Sequence, residues 1–312
     1  MCIAVTEVYS TVKRYRAYGL EIESDIALPE LQSLTGPDAR PVSICAAEVP
    51  VSGLHAPDFS GPYAQTKAGE VWLNIPSVAR LHIRHGRYID YHRDDGVEDA
   101  LLRAFLLGSG LGAILIQRDY TVLHGNAVEI GDGCLICVGV SGAGKSTTAT
   151  GFLQRGYRVI ADDVCPIDDR ARVIPGMPHI KVWQKTADAL GVSTEGLPRV
   201  ALQDDKFRMP LNEAFAGDPL PLRVLVELCP RDAPGVEIEP VSGLQKIAMV
   251  RRNLYRPEYV HGMGMQAPVF QRLAGQISGV RAFRAHRSRS GFQLDALLDA
   301  LLEKCTYRPL GS

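Results

Sequence analysis

Eight residues, Gly139-Val-Ser-Gly-Ala-Gly-Lys-Ser146, carry the first chemistry legible in this chain. They follow the pattern G-x-x-x-x-G-K-[ST], whose glycines let successive backbone N–H groups turn onto a chain of phosphates. The spacing assigns Lys145 to the terminal phosphates and the Ser146 hydroxyl to Mg²⁺. Gly139, Ser141, Gly142, Ala143, Gly144, Lys145, Ser146 and Thr147 form the expected cradle for a nucleoside triphosphate. One helix downstream stands Asp162-Asp163. Two adjacent carboxylates suit phosphoryl transfer, one holding the metal and the other accepting the proton of an attacking hydroxyl.

The elements that must position these groups are readable from the flanks. Cys134-Leu-Ile-Cys-Val138 is short, apolar and rich in strand formers, and Ser146 through Arg155 reads as a helix closed by Gly156. Leu123 to Ile130 and the Cys134 strand, joined by Gly131-Asp-Gly133, predict a hairpin feeding the loop. His124 lies on that hairpin, and as a lone histidine its pattern fits a packed core residue. Tyr157-Arg-Val-Ile-Ala161 predicts a strand ending at the acidic pair. In a strand–helix–strand unit its C-terminal end would open on the phosphate edge.

Composition narrows the class. The 312 residues suit one large domain or two ordinary ones, and 46% apolar with 22% charged residues is normal for a soluble globular protein. A net charge of −1 offers no general field for nucleic acid or an anionic membrane. Seven scattered cysteines do not form a disulfide framework, and Cys134 with Cys137 read as buried strand thiols. The N-terminal residues show no signal-peptide pattern. Residues 104–116 are apolar but too short to span a bilayer, so a buried core helix and a cytoplasmic location are expected.

Residues 1–95 read as a β-rich module. Tyr15 to Ile22, Val71 to Ile75 and Leu81 to His85 are its strands, with turns at residues 35–38, 60–62 and 85–86. His82, His85 and His92 are close in sequence but alternate faces on a strand, which favours solvated histidines over a metal set. A helix from Asp95 through Arg118 leads into residues 96–312. Beyond the acidic pair, Ile180 to Trp183 reads as a strand and Thr186 to Leu190 as a short helix. Residues 204–208 read as a charged loop, and Leu222 to Leu228 and Val236 to Glu239 as strands. Residues 251–257 are basic, fitting either a phosphate or substrate contact or a solvated helix surface. Val269 to Ile277 is helical, Val280 to His286 a late strand, and residues 292–302 a helix with one leucine face.

Together His124-Gly125, the phosphate loop, Arg155 through Asp163 and the Pro175 turn resemble the catalytic domain of HPr kinase/phosphorylase. Tyr18-Gly-Leu, Leu28-Pro-Glu-Leu31, Phe105-Leu-Leu-Gly-Ser109 and Ile180-Lys-Val-Trp183 extend the likeness to HPr-kinase-like serine kinases encoded beside peptide-maturation enzymes. The resemblance implies an α/β fold: a phosphoenolpyruvate-carboxykinase/HPr-kinase-like P-loop domain preceded by the smaller β-rich one. It implies ATP and Mg²⁺ as cofactors, His124 beside the phosphates, Asp162 as base and Asp163 with Ser146 at the metal. Its expected acceptor is the C-terminal serine of a lasso-peptide precursor, and a homo-oligomer is expected. Thr147 stands where that family usually has Glu, and residues 176–181 replace the stretch that marks HPr kinases. Both departures weigh against a phosphorylase half-reaction and against HPr as acceptor. The alternatives are an HPr(Ser) or small-metabolite kinase and an ATP-dependent peptide-binding switch without transfer.

Overall fold

The computed structural model describes residues 12–34, 41–200, 205–289 and 293–305. The turn at residues 35–38, the N-terminal stretch before Val12, Asp204 and Phe292 lie outside them. The architecture is mixed α/β with three sheets.

The first sheet has nine strands, ordered Gln32–Ser33, Lys13–Ala17, Leu20–Ser24, Val42–Ala46, Tyr88–Arg93, Ala79–Arg84, Glu70–Ile75, Ala64–Lys67, Phe59–Ser60. Its strands alternate buried and wetter positions, as in Leu20–Ser24 and Ala79–Arg84. The run read as one strand at residues 15–22 is a hairpin instead. Lys13–Ala17 and Leu20–Ser24 pair antiparallel around Tyr18 (φ 54°) and Gly19 (φ 67°), the left-handed pair a tight two-residue turn demands.

The second sheet has seven strands: Gly133–Val138, Thr121–Ile130, Val159–Ile167, Arg172–Val173, Leu220–Arg231, Arg281–Ser288, Val236–Val241. An extra parallel pairing of Gly133–Val138 with Leu220–Arg231 closes the first five into a ring. Every residue of Gly133–Val138 is buried, which explains its unbroken apolar sequence. Arg281–Ser288 lies between Leu220–Arg231 and Val236–Val241, so those two strands are not neighbours. Lys206–Pro210, within the region read as a charged loop, forms a strand with His179–Trp183 in a separate two-stranded sheet.

Between the two large sheets runs a helical rod: α-helix Asp99–Phe105, a π-helical turn Leu106–Gly110, and α-helix Leu111–Gln117. Its last segment packs on both Ala79–Arg84 and Thr121–Ile130. That two-sided packing is why the rod is apolar on all sides. As one piece Asp99–Gln117 is 19 residues long, long and apolar enough by composition to cross a membrane, and 61% of that window is buried inside the protein. The π turn is absent from the helical pattern. A Cβ on Gly112 would come within 2.5 Å of the Tyr255 ring, so the glycines here admit that ring to the helix flank.

Candidate functional site

The phosphate loop leaves the buried strand Gly133–Val138 and enters helix Lys145–Gln154. Gly139 (φ 144°) and Gly144 (φ 100°) take backbone angles that side chains rarely adopt, and a Cβ at Gly139 would lie 2.8 Å from the Leu228 carbonyl oxygen. Lys145 Nζ donates to the carbonyls of Gly139 at 2.7 Å and Val140 at 3.3 Å, so its ammonium sits inside the loop's curve. Burial lowers its pKa, opposed by the nearby Asp163 and Asp162. Arg287 braces the loop from outside, Nε donating to the Ala143 carbonyl at 2.8 Å and Nη2 to that of Gly142 at 3.2 Å. Ser141 is exposed, and Ser146 and Thr147 are partly buried in the first turn of the helix. The Thr147 hydroxyl lies 3.2 Å from that of Thr186.

The strand carrying the acidic pair differs from expectation. Val159–Ile167 does not end at Ala161 but runs through both aspartates. Nor does it adjoin the loop's strand: Thr121–Ile130 lies between them, antiparallel to each. The hairpin strand is the physical reason, since its length pairs with both neighbours at once. The two outer strands therefore run parallel, as the strand–helix–strand unit requires, and register brings the pair to the right level. Val138, Gly125 and Asp163 stand side by side across the three strands, with Glu227 on the far side of Val138.

Consecutive strand residues normally face opposite sides. Asp163 escapes this by taking a left-handed backbone (φ 63°), and both carboxylates line one cleft of about 570 Å³ with Gly139, His124 and Lys181. For a residue with a Cβ this conformation costs roughly 1–2 kcal/mol, a strain typical of functional positions. Asp162 accepts from Asn126 Nδ2 and from the Lys181 backbone N–H at 2.8 Å. Burial pushes its pKa up to about 7, with the neighbouring Asp163 adding to the rise. Asp163 accepts from Lys181 Nζ at 2.5 Å. Burial works to raise its pKa too, but Lys181 and Lys206 outweigh it and hold it below the usual carboxylate range. One environment thus pushes two adjacent carboxyls apart.

His124 Nδ1 lies 3.1 Å from the Asp163 carbonyl oxygen, to which it donates. Burial and then Lys145 lower its pKa. Its ring is 6.1 Å from Tyr255. The basic turn at residues 251–257 splits between its two readings. Arg251 is exposed, while residues 252–256 line the cleft. The turn is annealed to the hairpin strand by His124 N to Asn253 O at 2.9 Å and Tyr255 N to Val122 O at 2.8 Å. Glu227 anchors it, accepting from Arg252 Nε at 2.5 Å and Asn253 Nδ2 at 3.0 Å.

On the other side of the loop is a second cavity of about 510 Å³, lined among others by Gly144, Thr147, Lys185, Thr186, Ala189 and Arg287. The phosphate loop thus separates two chambers. The sequence motifs did not reveal Asn126, Lys181, Lys206, Tyr255 or Arg287. Their signal is tertiary, since each comes from a different strand or turn; the segments holding Lys181, Lys206 and Tyr255 stood out in the sequence, but nothing local joined those residues to the acidic pair.

The fold and the site define a mixed α/β protein with a glycine phosphate loop facing a buried acidic pair. Residues 116–185 match the family model described as HPr Serine kinase C-terminal domain. An HPr kinase/phosphorylase of Lactobacillus acidophilus is 54% identical over 58 residues, 19% of this chain and 17% of that protein. One of Clostridium beijerinckii is 36% identical over 73 residues, 23% of this chain and 24% of that protein. The matched stretch therefore spans less than a quarter of these curated relatives. The solved HPr(Ser) kinase/phosphatase of Coxiella burnetii aligns with 59% of this chain and 93% of its own, at 11% identity and a TM-score of 0.25. The segment bearing the loop and the acidic pair is HPr kinase-like.

Proposed function

We propose that the chain is an ATP-dependent serine kinase that phosphorylates a peptide or protein hydroxyl. The observation that carries this is the acidic pair. Asp162, with a pKa near 7, faces the same cleft as the phosphate loop, and a module that only binds nucleotide has no need of a buried base there. The loop and the cleft would hold the triphosphate of ATP, and the chamber of Thr147 and Thr186 would hold its nucleoside. Asp162 takes the proton as the serine oxygen attacks the γ-phosphorus and the bond to the β–γ bridging oxygen breaks. Lys145 neutralises the departing charge, and Lys181 and Lys206 add positive charge at the same edge.

The donor set fits Mg²⁺: Asp163 stays ionised, the Ser146 hydroxyl opens the loop helix, and both are hard oxygen ligands. When bound, the ion would supply positive charge that offsets that of the phosphates. His124, with Nδ1 held by the Asp163 carbonyl, lines the same cleft, and its Nε2 when protonated would donate to a phosphate oxygen. Residues 1–95 and 96–312 are the two domains in this reading, the first ending just past strand Tyr88–Arg93.

For the acceptor we favour the C-terminal serine of a lasso-peptide precursor. Such a serine brings a carboxylate with its hydroxyl, and Arg256 lines the cleft with its side chain partly exposed. Mass spectrometry after incubation of candidate precursors with ATP and Mg²⁺ tests this. Phosphate on the terminal serine of the free acid, with at least tenfold less on the C-terminal amide, is expected. Equal transfer to both forms would remove the carboxylate argument.

A further inference from the structure

Beside the cleft lies an apolar groove of about 380 Å³ that the transfer chemistry leaves unused. Phe59 and Ile75 wall it from outer strands of the nine-stranded sheet, Tyr63 from the turn that joins Phe59–Ser60 to Ala64–Lys67, and Phe105 and Tyr259 from two helices. Tyr63 is 61% exposed, an unusual setting for a large aromatic side chain. The groove and the cleft are continuous: Phe105, Ser109, Arg256 and Glu258 line both. Arg256 at this junction is held by a left-handed backbone (φ 47°) and donates from Nη2 to the Ser109 hydroxyl at 3.2 Å. A small-metabolite acceptor would fill the cleft and leave the groove without a purpose. A polypeptide leaving the cleft past Arg256 enters it directly.

We propose that this groove seats a bulky apolar side chain of the acceptor polypeptide, close in sequence to the phosphorylated hydroxyl, and so sets the enzyme's peptide preference. The proposal rests on the peptide-kinase reading above and adds to it a specificity site in the first sheet. The occupant is an aliphatic or aromatic residue, because the walls are mostly carbon: away from the junction with the cleft, Asn74 and the tyrosine hydroxyls are the polar side-chain groups of the lining. An extended chain advances about 3.3 Å per residue, so the seated residue falls within roughly four positions of the hydroxyl. Removing such a side chain from water is worth on the order of a tenfold to hundredfold change in kcat/KM.

The test uses the full chain, γ-labelled ATP, Mg²⁺ and a set of synthetic octapeptides ending in serine. Phe, Ala or Asp is scanned through the four positions that precede the serine. The expected result is one position where Phe exceeds Ala at least tenfold in kcat/KM and Asp is poorest. In Tyr63→Ala that preference falls to about threefold or less, while the all-Ala reference peptide turns over as in the wild type, which also reports an intact fold. Tyr63→Arg converts the same position to a preference for Asp. Phosphorylated peptides with no apolar preference, or with a preference that survives Tyr63→Ala and Tyr63→Arg, overturn the groove assignment and leave the kinase reading standing. Nucleotide binding without transfer to any peptide, including the serine-terminated precursors, overturns both.

Discussion

In the nine-stranded sheet His82 and Glu70 meet across neighbouring strands at 2.7 Å, on a face that water reaches. In the seven-stranded sheet Asn126 meets Asp162 across neighbouring strands where both side chains are almost fully buried. Both are side-chain contacts between neighbouring strands, one diagonal and the other directly opposite, but their surroundings differ. The first pair is a wet cross-strand contact, its energy a fraction of a kcal/mol and screened by salt. The second belongs to a sheet buried on both faces, where an ionisable group is retained only against a desolvation penalty. Polar residues that look equally ordinary in sequence therefore differ in meaning, and the background of buried apolar strands sets apart the ones proposed to act in transfer.

The largest effects should come from the buried side of this comparison. Lys145→Ala and Asp162→Asn are each expected to reduce phosphoryl transfer by at least a thousandfold. Asp162→Asn should still bind nucleotide, measurable by calorimetry; transfer persisting in that variant would refute its role as base. Glu227→Gln should follow, destabilising the fold by about 2 kcal/mol in a denaturant titration, because the amide loses the charge that Arg252 pairs with and turns the oxygen facing Arg252 Nη2 into a donor.

A pH profile sharpens the contrast. Asp162 is raised from 3.8 to about 7, so it is protonated below neutrality and ionises above it. Activity should climb with pH along an acid limb near 7. Stability contributed by this group runs the other way: present below about pH 4 and lost as pH rises through 7, since burial favours the neutral acid. Because Lys181 lowers the Asp162 pKa, Lys181→Met should move the acid limb to higher pH. A limb that stays put would dissociate the two groups. At the small end, Glu70→Gln should change stability by about 1 kcal/mol or less and leave kcat unaltered. A catalytic defect there would erase the distinction between the sheets.

The residues at the centre of the site were legible because their function fixes a local pattern. The phosphate loop needs its glycines, lysine and serine in one order, and strand and helix must flank them. The partners of Asp162 were not legible. Lys181 reaches it from a separate two-stranded sheet, and Asn126 through a register that no local pattern encodes. The strand Lys206–Pro210 was hidden by its charges, which on a soluble chain usually mean a loop. The hairpin at Tyr18 was missed because a tyrosine with positive φ reads as one more alternating strand residue. The π turn at Leu106–Gly110 carries the same apolar spacing as a regular helix and leaves no separate trace.

That hairpin tip has a consequence for anyone wishing to recombine this protein with relatives. Tyr18 lies fully buried against Gly176, where a methyl group would stand 3.2 Å from its ring, and the Asp162 and Asp163 charges raise its phenol pKa in addition to burial. A chimera joined at residue 95 would bring a foreign tip to this spot, and any bulkier residue there would press on Gly176, which stands between the tip and Ala161, next door to the aspartates. The crossover point for exchanging halves therefore has to be judged by the shape of one aromatic ring, since the linker alone does not determine whether the parts are interchangeable.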